Sequence, residues 1–259
     1  MSRALARALA PLLVSAVVAV VAWELFLRAF DVNPLIGKDP AAVWEYLFTA
    51  PEAAANRTSV IDPLLVTLKD GALGFAGGMI AAVLVAVTFV LFRSVEQAFL
   101  PVAMLLRSVP LVAMTPLVTL VFGRGLTGVS VIAGIVVFFP ALVTIVFGLR
   151  SVNPLARDLV AAYGGSSLTA LRKVAFPSAL PSLFAAMRIS VPGALIGALV
   201  AEWLATGKGV GGEILRDIGA FGYDHLWASI IVLTAVSVVL YTVLGLIEQI
   251  VLARFSDQH

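Results

Sequence analysis

Six apolar runs, at about residues 10–30, 65–92, 98–122, 128–149, 182–205 and 227–252, constrain this chain more than any other feature. Each approaches or exceeds the ~20 residues a helix needs to cross the hydrocarbon core of a bilayer. Backbone in lipid must satisfy its own hydrogen bonds, which leaves helices or a closed barrel. A barrel strand alternates polar and apolar residues, and a stretch such as Met79–Val90 does not alternate. The expected fold is therefore an all-α, polytopic membrane protein with about six spans. Composition agrees: 12% of residues are charged and 61% are hydrophobic, against roughly 25% charged in a soluble domain. The expected organisation is a single transmembrane domain over 1–259, with five core spans in 65–252 and a polar loop at 150–181.

Arg3 and Arg7 precede the first run as they would in a signal peptide. The run continues through Trp23, Leu25, Phe26 and Leu27 with no small-residue cleavage site, so an uncleaved first span is expected. With the N-terminus inside, Arg3, Arg7, Arg93, Arg150, Arg157, Arg172, Lys173 and Arg254 face the cytoplasm. Arg28, Lys38, Arg57, Lys69, Arg124, Lys208 and Arg216 lie outside, scattered among acids. Four of the inner cations share one loop, so the positive-inside rule favours both termini in the cytoplasm.

Several function classes drop out. A net charge of +2 gives no reason to expect nucleic acid, and the absence of cysteine removes disulfides, thiolate metal sites and cysteine nucleophiles. Of the two histidines, His225 and His259, the second is the last residue, so neither a histidine metal site nor a proton relay is expected. Gly207-Lys208-Gly209 lacks the spacing and the hydroxyl of a nucleotide-binding loop, and no hydrolase or metalloprotease motif occurs. The chain is not expected to be an enzyme or to bind a cofactor or metal itself. An ion-coupled secondary transporter is the alternative, but it requires intramembrane carboxylates or histidines, and only Glu202 offers support. No internal repeat of broken helices is visible either.

The third run carries Pro101, Pro110 and Pro116, the fourth Pro140, and the fifth Pro192-Gly193. Proline removes a backbone donor and kinks a helix, and in membranes such breaks face protein or a water-filled cavity. Pro110, Pro116 and Pro192 thus mark either a translocation path or kinks needed for packing. Gly74/Gly78 and Gly193/Gly197, at four-residue spacing, permit close helix approach within one chain or between copies. Arg107 and Glu202 lie in or near apolar runs, where a charge costs on the order of 3 kcal/mol. Arg107 either attracts an anionic solute or snorkels to headgroups, and Glu202 is read as structural or part of a gate. Glu24 and Arg28 have the spacing of a helical ion pair. In the outer segment 31–64, Asp39-Pro40 begins a short helix whose Val43, Trp44, Leu47 and Phe48 lie either in the interface or over the bundle. The glycine-rich loop 206–226 is expected to be irregular, with a short helix near 212–218.

The loop at 150–181 is more regular than a simple connection. Asn153-Pro154 reads as a cap and first turn, with Leu155, Leu159 and Ala162 on one face and Arg157 and Asp158 on another. Gly164-Gly165 stops that helix. Ser166 or Ser167 then caps a second one over Leu168–Val174, with Arg172 and Lys173 in its last turn. Pro177 and Pro181 close the unit. The pattern is a helical hairpin, serving either as a docking surface or as an ordinary connection.

The run Asp158…Gly164…Phe176-Pro177, followed by Leu180-Pro181, resembles the EAA loop of permeases in binding-protein-dependent ABC importers. That loop has an acid, a glycine six positions on and an apolar–Pro pair thirteen residues beyond; here Asp158-Leu159-Val160 replaces Glu-Ala-Ala, and Gly165 doubles the glycine. Arg107-Ser-Val-Pro110, Thr115-Pro-Leu to Phe122-Gly123, Ala201-Glu202 with Gly207 to Gly211, and Leu35 to Pro40 are similar to stretches of nitrate, sulfonate and taurine permeases. The resemblance implies a type I ABC importer permease fold with 150–181 as its cytoplasmic coupling loop. It implies ATPase coupling through Arg157, Asp158, Tyr163, Gly164, Gly165, Leu168, Arg172 and Pro177. Arg107, Pro110, Pro116, Pro192 and Glu202 then belong to the translocation path or gate. The implied partners are two cytoplasmic ATPase subunits, which hold ATP and Mg, a second permease chain and an extracytoplasmic binding protein. The implied location is the bacterial inner membrane, the mechanism alternating access, and the cargo a small polar or anionic solute.

Overall fold

Where the sequence is continuously apolar the backbone closes its hydrogen bonds within helices, and the helices run on wherever side chains supply further caps. In the computed structural model, which describes the backbone of residues 2–256 and the side chains of 14–254, these helices account for nearly the whole chain. In order they are α1 (Ser2–Ala29), α2 (Pro40–Trp44), α3 (Ala53–Leu91), α4 (Arg93–Ser108), α5 (Leu111–Phe122) and α6 (Leu126–Arg150). There follow α7 (Pro154–Ala162), α8 (Ser167–Ala170), the single turn α9 (Phe176–Ser178), α10 (Leu180–Ala201), α11 (Gly209–Ala220) and α12 (Tyr223–Ser256). Wider π-type turns extend α2, α8 and α10 at Glu45–Thr49, Leu171–Ala175 and Glu202–Thr206. There is no strand among the described residues. The side chains of Arg3, Arg7 and His259 lie outside those described.

Among the described residues, four helices are long and apolar enough to cross a membrane: Ala53–Leu91, Leu126–Arg150, Leu180–Thr206 and Tyr223–Arg254. Helices α4 and α5 meet that test only as a pair, bent by 106°. The run at 98–122, expected as one kinked span, is thus two helices. Pro110 explains the break. Val109 before it is extended, at φ −73 and ψ 124, a conformation favoured in the residue before proline, and α5 starts without a side-chain cap. Pro101, Pro116, Pro140 and Pro192 all lie inside helices that continue past them. Helix α3 begins at Ala53, well ahead of the apolar run at 65. Its polar first turns carry ties that hydropathy does not register: Asn56 Nδ2 donates to the Tyr46 carbonyl at 2.9 Å and Arg57 to that of Leu47 at 2.8 Å.

Contacts divide the chain into two units, Met1–Asp62 with Ile214–Val232, and Pro63–Glu213 with Leu233–His259. In the first, Val43, Leu47, Val60 and Ala228 form a small core flanked by Trp23 and Trp227, whose rings stack 5.3 Å apart. The Trp227 indole donates to the Ile36 carbonyl at 2.8 Å. Asp39 caps α2 by accepting from Ala42 N at 2.7 Å. Val43 and Leu47 point inward from this segment while Trp44 and Phe48 stay exposed, so one short helix both packs and presents aromatic surface. The Glu24–Arg28 pair forms, at 2.6 Å. Burial pushes the Tyr46 hydroxyl above its ordinary value, against an opposing hydrogen bond with Ser59.

The second unit is built on α6, whose Val137, Ala141, Leu142 and Ile145 are buried with Ala82, Ala86 and Phe89 of α3 and Ala186 and Ala194 of α10. Lipid provides no hydrophobic drive between helices, so close van der Waals approach has to hold them together. A Cβ on Gly74 or Gly78 would overlap Ala133, Gly134 or Val137 of α6, and one on Gly197 would overlap Ala133. These glycines serve contacts within the chain.

Candidate functional site

The 150–181 loop folds as the hairpin its sequence describes. Asn153 Oδ1 accepts from Leu155 N at 3.0 Å to cap α7, and Ser166 Oγ accepts from Thr169 N at 3.3 Å to cap α8. Between them Gly164 adopts φ +75. The Gly165 N–H reaches Val160 O at 2.8 Å and the Gly164 N–H reaches Ala161 O at 2.9 Å. That double bond pattern closes a helix on a left-handed glycine. Every cap is local, and the apolar side chains of the first helix find no partner: Leu155 is 74%, Leu159 58% and Tyr163 86% exposed. Leu168, Arg172 and Pro177 are exposed as well, while Leu171 and Ala175 anchor the second arm in the core. Arg157 and Asp158 lie on the other side of α7, lining a cleft at the base of the hairpin.

That base is fixed by an ion pair sequence reading missed. Arg150, the last residue of α6, bonds to Glu96 in the first turn of α4, and Glu96 is buried. The α4 that leaves this pair ends at Ser108, where the chain breaks.

At the break a cavity of about 370 Å³ opens between the α4–α5 turn and α6, lined by Arg107, Pro110, Met114, Ile135, Phe139 and their neighbours. Arg107 is its sole charged residue. The structure thus brings Arg107 and Pro110 together; Pro116, exposed on α5, Pro192, half-buried in α10, and Glu202 are not in its lining.

Glu202 is fully buried. Its Oε2 accepts from the Thr67 hydroxyl at 2.8 Å and from Gly211 N at 3.0 Å. Thr67 Oγ1 in turn accepts from Val210 N at 2.9 Å. Gly207 and Gly209 both take positive φ to bring the turn around, and a Cβ on Gly209 or Gly211 would overlap Glu202. Among the described residues Oε1 has no hydrogen-bond partner. The arrangement ties the turn at 207–211 to α3. The helix after it runs from Gly209 to Ala220, longer than the glycine content suggested.

A third polar contact was also missed. Arg188 donates to Glu248 at 3.0 Å and to the Tyr241 hydroxyl at 2.9 Å, and lies 4.5 Å from that ring's centroid. Arg188 and Glu248 fall within the fifth and sixth apolar runs, so the cost of a charge in lipid was the available signal. Which charge would meet which could not be read from it. Glu96 and Thr67 gave no signal of their own.

The chain matches the model of the family described as "Binding-protein-dependent transport system inner membrane component" over residues 74–257. It is 31% identical to a "probable ABC transporter permease protein" of Haemophilus influenzae, over 91% of this chain and 93% of that protein. It is 33% identical to the riboflavin transport system permease protein RibX of Chloroflexus aurantiacus, over 61% of this chain and 59% of the relative. It is 27% identical to the formylaminopyrimidine transport permease protein ThiX of Halalkalibacterium halodurans, over 80% and 85% of the two chains.

Proposed function

This chain belongs to the inner-membrane components of binding-protein-dependent transport systems and is an ABC importer permease, and on that premise we propose that its hairpin at 150–181 is the cytoplasmic element that couples it to ATP hydrolysis by partner subunits. Two ATPases, each holding ATP and Mg, dock on a pair of permease chains, either two copies of this one or this one and a relative. An extracytoplasmic binding protein delivers the solute. Both termini lie in the cytoplasm of a bacterial cell, whose inner membrane the assembly spans.

The observation that carries this reading is the unpartnered row Leu155, Leu159 and Tyr163 on a helix whose own caps are complete. Apolar side chains outside the lipid, on a rigid helix, are what a protein partner buries. Alternating access then requires that the ATPases touch the hairpin differently in their two nucleotide states, since only differential contact shifts a conformational equilibrium. The Glu96–Arg150 pair connects the hairpin base to α4, and α4 leads to the break at Ser108–Pro110 and the cavity beside it. Arg107, Pro110, Pro116, Pro192 and Glu202 belong to the path or its gate in this reading.

Relatives carry names for riboflavin, formylaminopyrimidine, taurine and aliphatic sulfonates. For this chain the cargo is a small polar or anionic solute, and the lone Arg107 on its cavity supports the anionic choice. The coupling reading is tested by co-expressing the permease with the ATPase from a neighbouring gene and measuring co-purification. Leu159→Asp and Tyr163→Asp should each weaken retention of the ATPase by tenfold or more; retention equal to wild type in both refutes it. The compound that the partner binding protein retains on purification identifies the cargo.

A further inference from the structure

The cleft at the base of the hairpin shares Arg157, Asp158 and Gly165 with the coupling residues the resemblance implies, but the unpartnered row Leu155, Leu159 and Tyr163 that carries the coupling reading lies outside it. It encloses about 670 Å³ and lies where the ends of two membrane-spanning helices meet the hairpin, Val90 and Leu91 of α3 and Leu149 and Arg150 of α6. Its polar wall carries Arg93, Arg150 and Arg157 with the hydroxyls of Ser166 and Ser167, against the single carboxylate of Asp158. Arg150 is engaged by Glu96. Among the described residues the side chains of Arg93 and Arg157 make neither a hydrogen bond nor an ion pair, unlike Arg28, Arg150 and Arg188, each of which has a carboxylate.

We propose that this cleft binds the phosphate group of an anionic phospholipid headgroup. Guanidinium groups and hydroxyls are the donors that recognise phosphate oxygens. The volume falls in the range of small-molecule sites. The position selects the source of the phosphate. Both span ends contribute apolar floor, Leu91 and Leu149, so a phosphate held here sits at headgroup depth with apolar surface directly below it. Cations at the edge of a span gain about 1 kcal/mol each from an anionic leaflet. The division of α7 into two faces keeps the sites separate: Arg157, Asp158 and Ala161 line the cleft, while Leu155, Leu159 and Tyr163 are exposed and absent from its lining. A partner seated on the apolar face leaves the cationic one to the membrane. Because the lipid bridges α3, α6 and α7, it steadies the base from which the hairpin projects.

The test uses the full-length chain in nanodiscs of phosphatidylcholine alone or mixed with phosphatidylglycerol, with retained lipid read by native mass spectrometry. Wild type should retain phosphatidylglycerol over phosphatidylcholine. Arg93→Gln with Arg157→Gln should lower that preference about thirtyfold, and Arg254→Gln, at the end of α12, should leave it unchanged. An equal loss in Arg254→Gln means general surface charge and overturns the site, as does an undiminished preference in the double variant. Inorganic phosphate is added in a parallel arm. If it occupies the cleft in pure phosphatidylcholine and displaces phosphatidylglycerol, a soluble phosphate is the ligand and the headgroup assignment fails. Leu159→Asp separates this inference from the coupling reading: it should weaken ATPase retention and keep the lipid preference. Should the preference vanish with the ATPase, the cleft belongs to the protein partner and the inference is overturned.

Discussion

The hairpin at 153–175 and the turn at 202–211 are both short, polar and punctuated by glycines, yet the fold treats them in opposite ways. The hairpin satisfies its backbone from within, through Asn153, Ser166 and the Gly164-Gly165 closure, and leaves Leu155, Leu159 and Tyr163 in the open. The turn draws part of its satisfaction from a distance, from the Thr67 hydroxyl on α3, and part from its own buried Glu202 carboxylate, and exposes neither. A segment complete in its hydrogen bonds and incomplete in its packing is prepared to meet another molecule. A segment whose hydrogen bonds come in part from another helix is part of the fold itself. The contrast teaches that partner surfaces and structural turns are told apart by where their polar groups are satisfied, since their compositions look alike.

The comparison is most severely strained by removing Glu202. Glu202→Ala leaves the Gly211 N–H buried without its acceptor and the Thr67 hydroxyl with only the Pro63 carbonyl at 3.3 Å, and should cost about 3 kcal/mol, seen as a lower thermal midpoint in detergent. Glu202→Gln keeps an acceptor and should lose less; equal losses would mean that the charge, and not the hydrogen bonds, holds the turn. Next in size is the hairpin surface. Tyr163→Asp should weaken ATPase retention by tenfold or more, about 1.4 kcal/mol, with the thermal midpoint unchanged because the side chain is 86% exposed. A midpoint lowered as far as in Glu202→Ala would erase the distinction between the regions. Glu96→Gln should cost about 1 kcal/mol, since it leaves Arg150 without its carboxylate while Arg150 itself remains partly in solvent. Its thermal midpoint and transport should both fall, with ATPase retention preserved. The smallest effect is expected for Asn153→Ala, about 1 kcal/mol or less and confined to α7. Hydrogen exchange over residues 154–162 should quicken while the 202–211 turn stays protected.

Much of this was legible in the chain. The apolar runs predicted the helices because a backbone in lipid has few alternatives, and Asn153-Pro154, Gly164 and Ser166 marked the hairpin because capping is a local interaction between neighbours. The Glu24–Arg28 pair was legible for the same reason, as its partners are one turn apart. What was not legible was long-range. Nothing around Thr67 indicates that it meets Glu202 and Val210, and nothing around Glu96 points to Arg150. Among five prolines in spans three to five, hydropathy gave no reason for Pro110 alone to break its run while Pro101 and Pro116 lie within helices.

The sequence by itself determined that the chain is a helical membrane protein, which side chains cap its helices, and that its hairpin is an independent unit. These depend on solvent preference and on residues within a turn or two of one another. Only the tertiary structure decided which charges are paired, that Gly74, Gly78 and Gly197 serve contacts inside the chain, and that Arg93 and Arg157 share a cleft at the foot of the hairpin. Those outcomes depend on how helices distant in sequence come to lie against each other, and local periodicity carries no record of that.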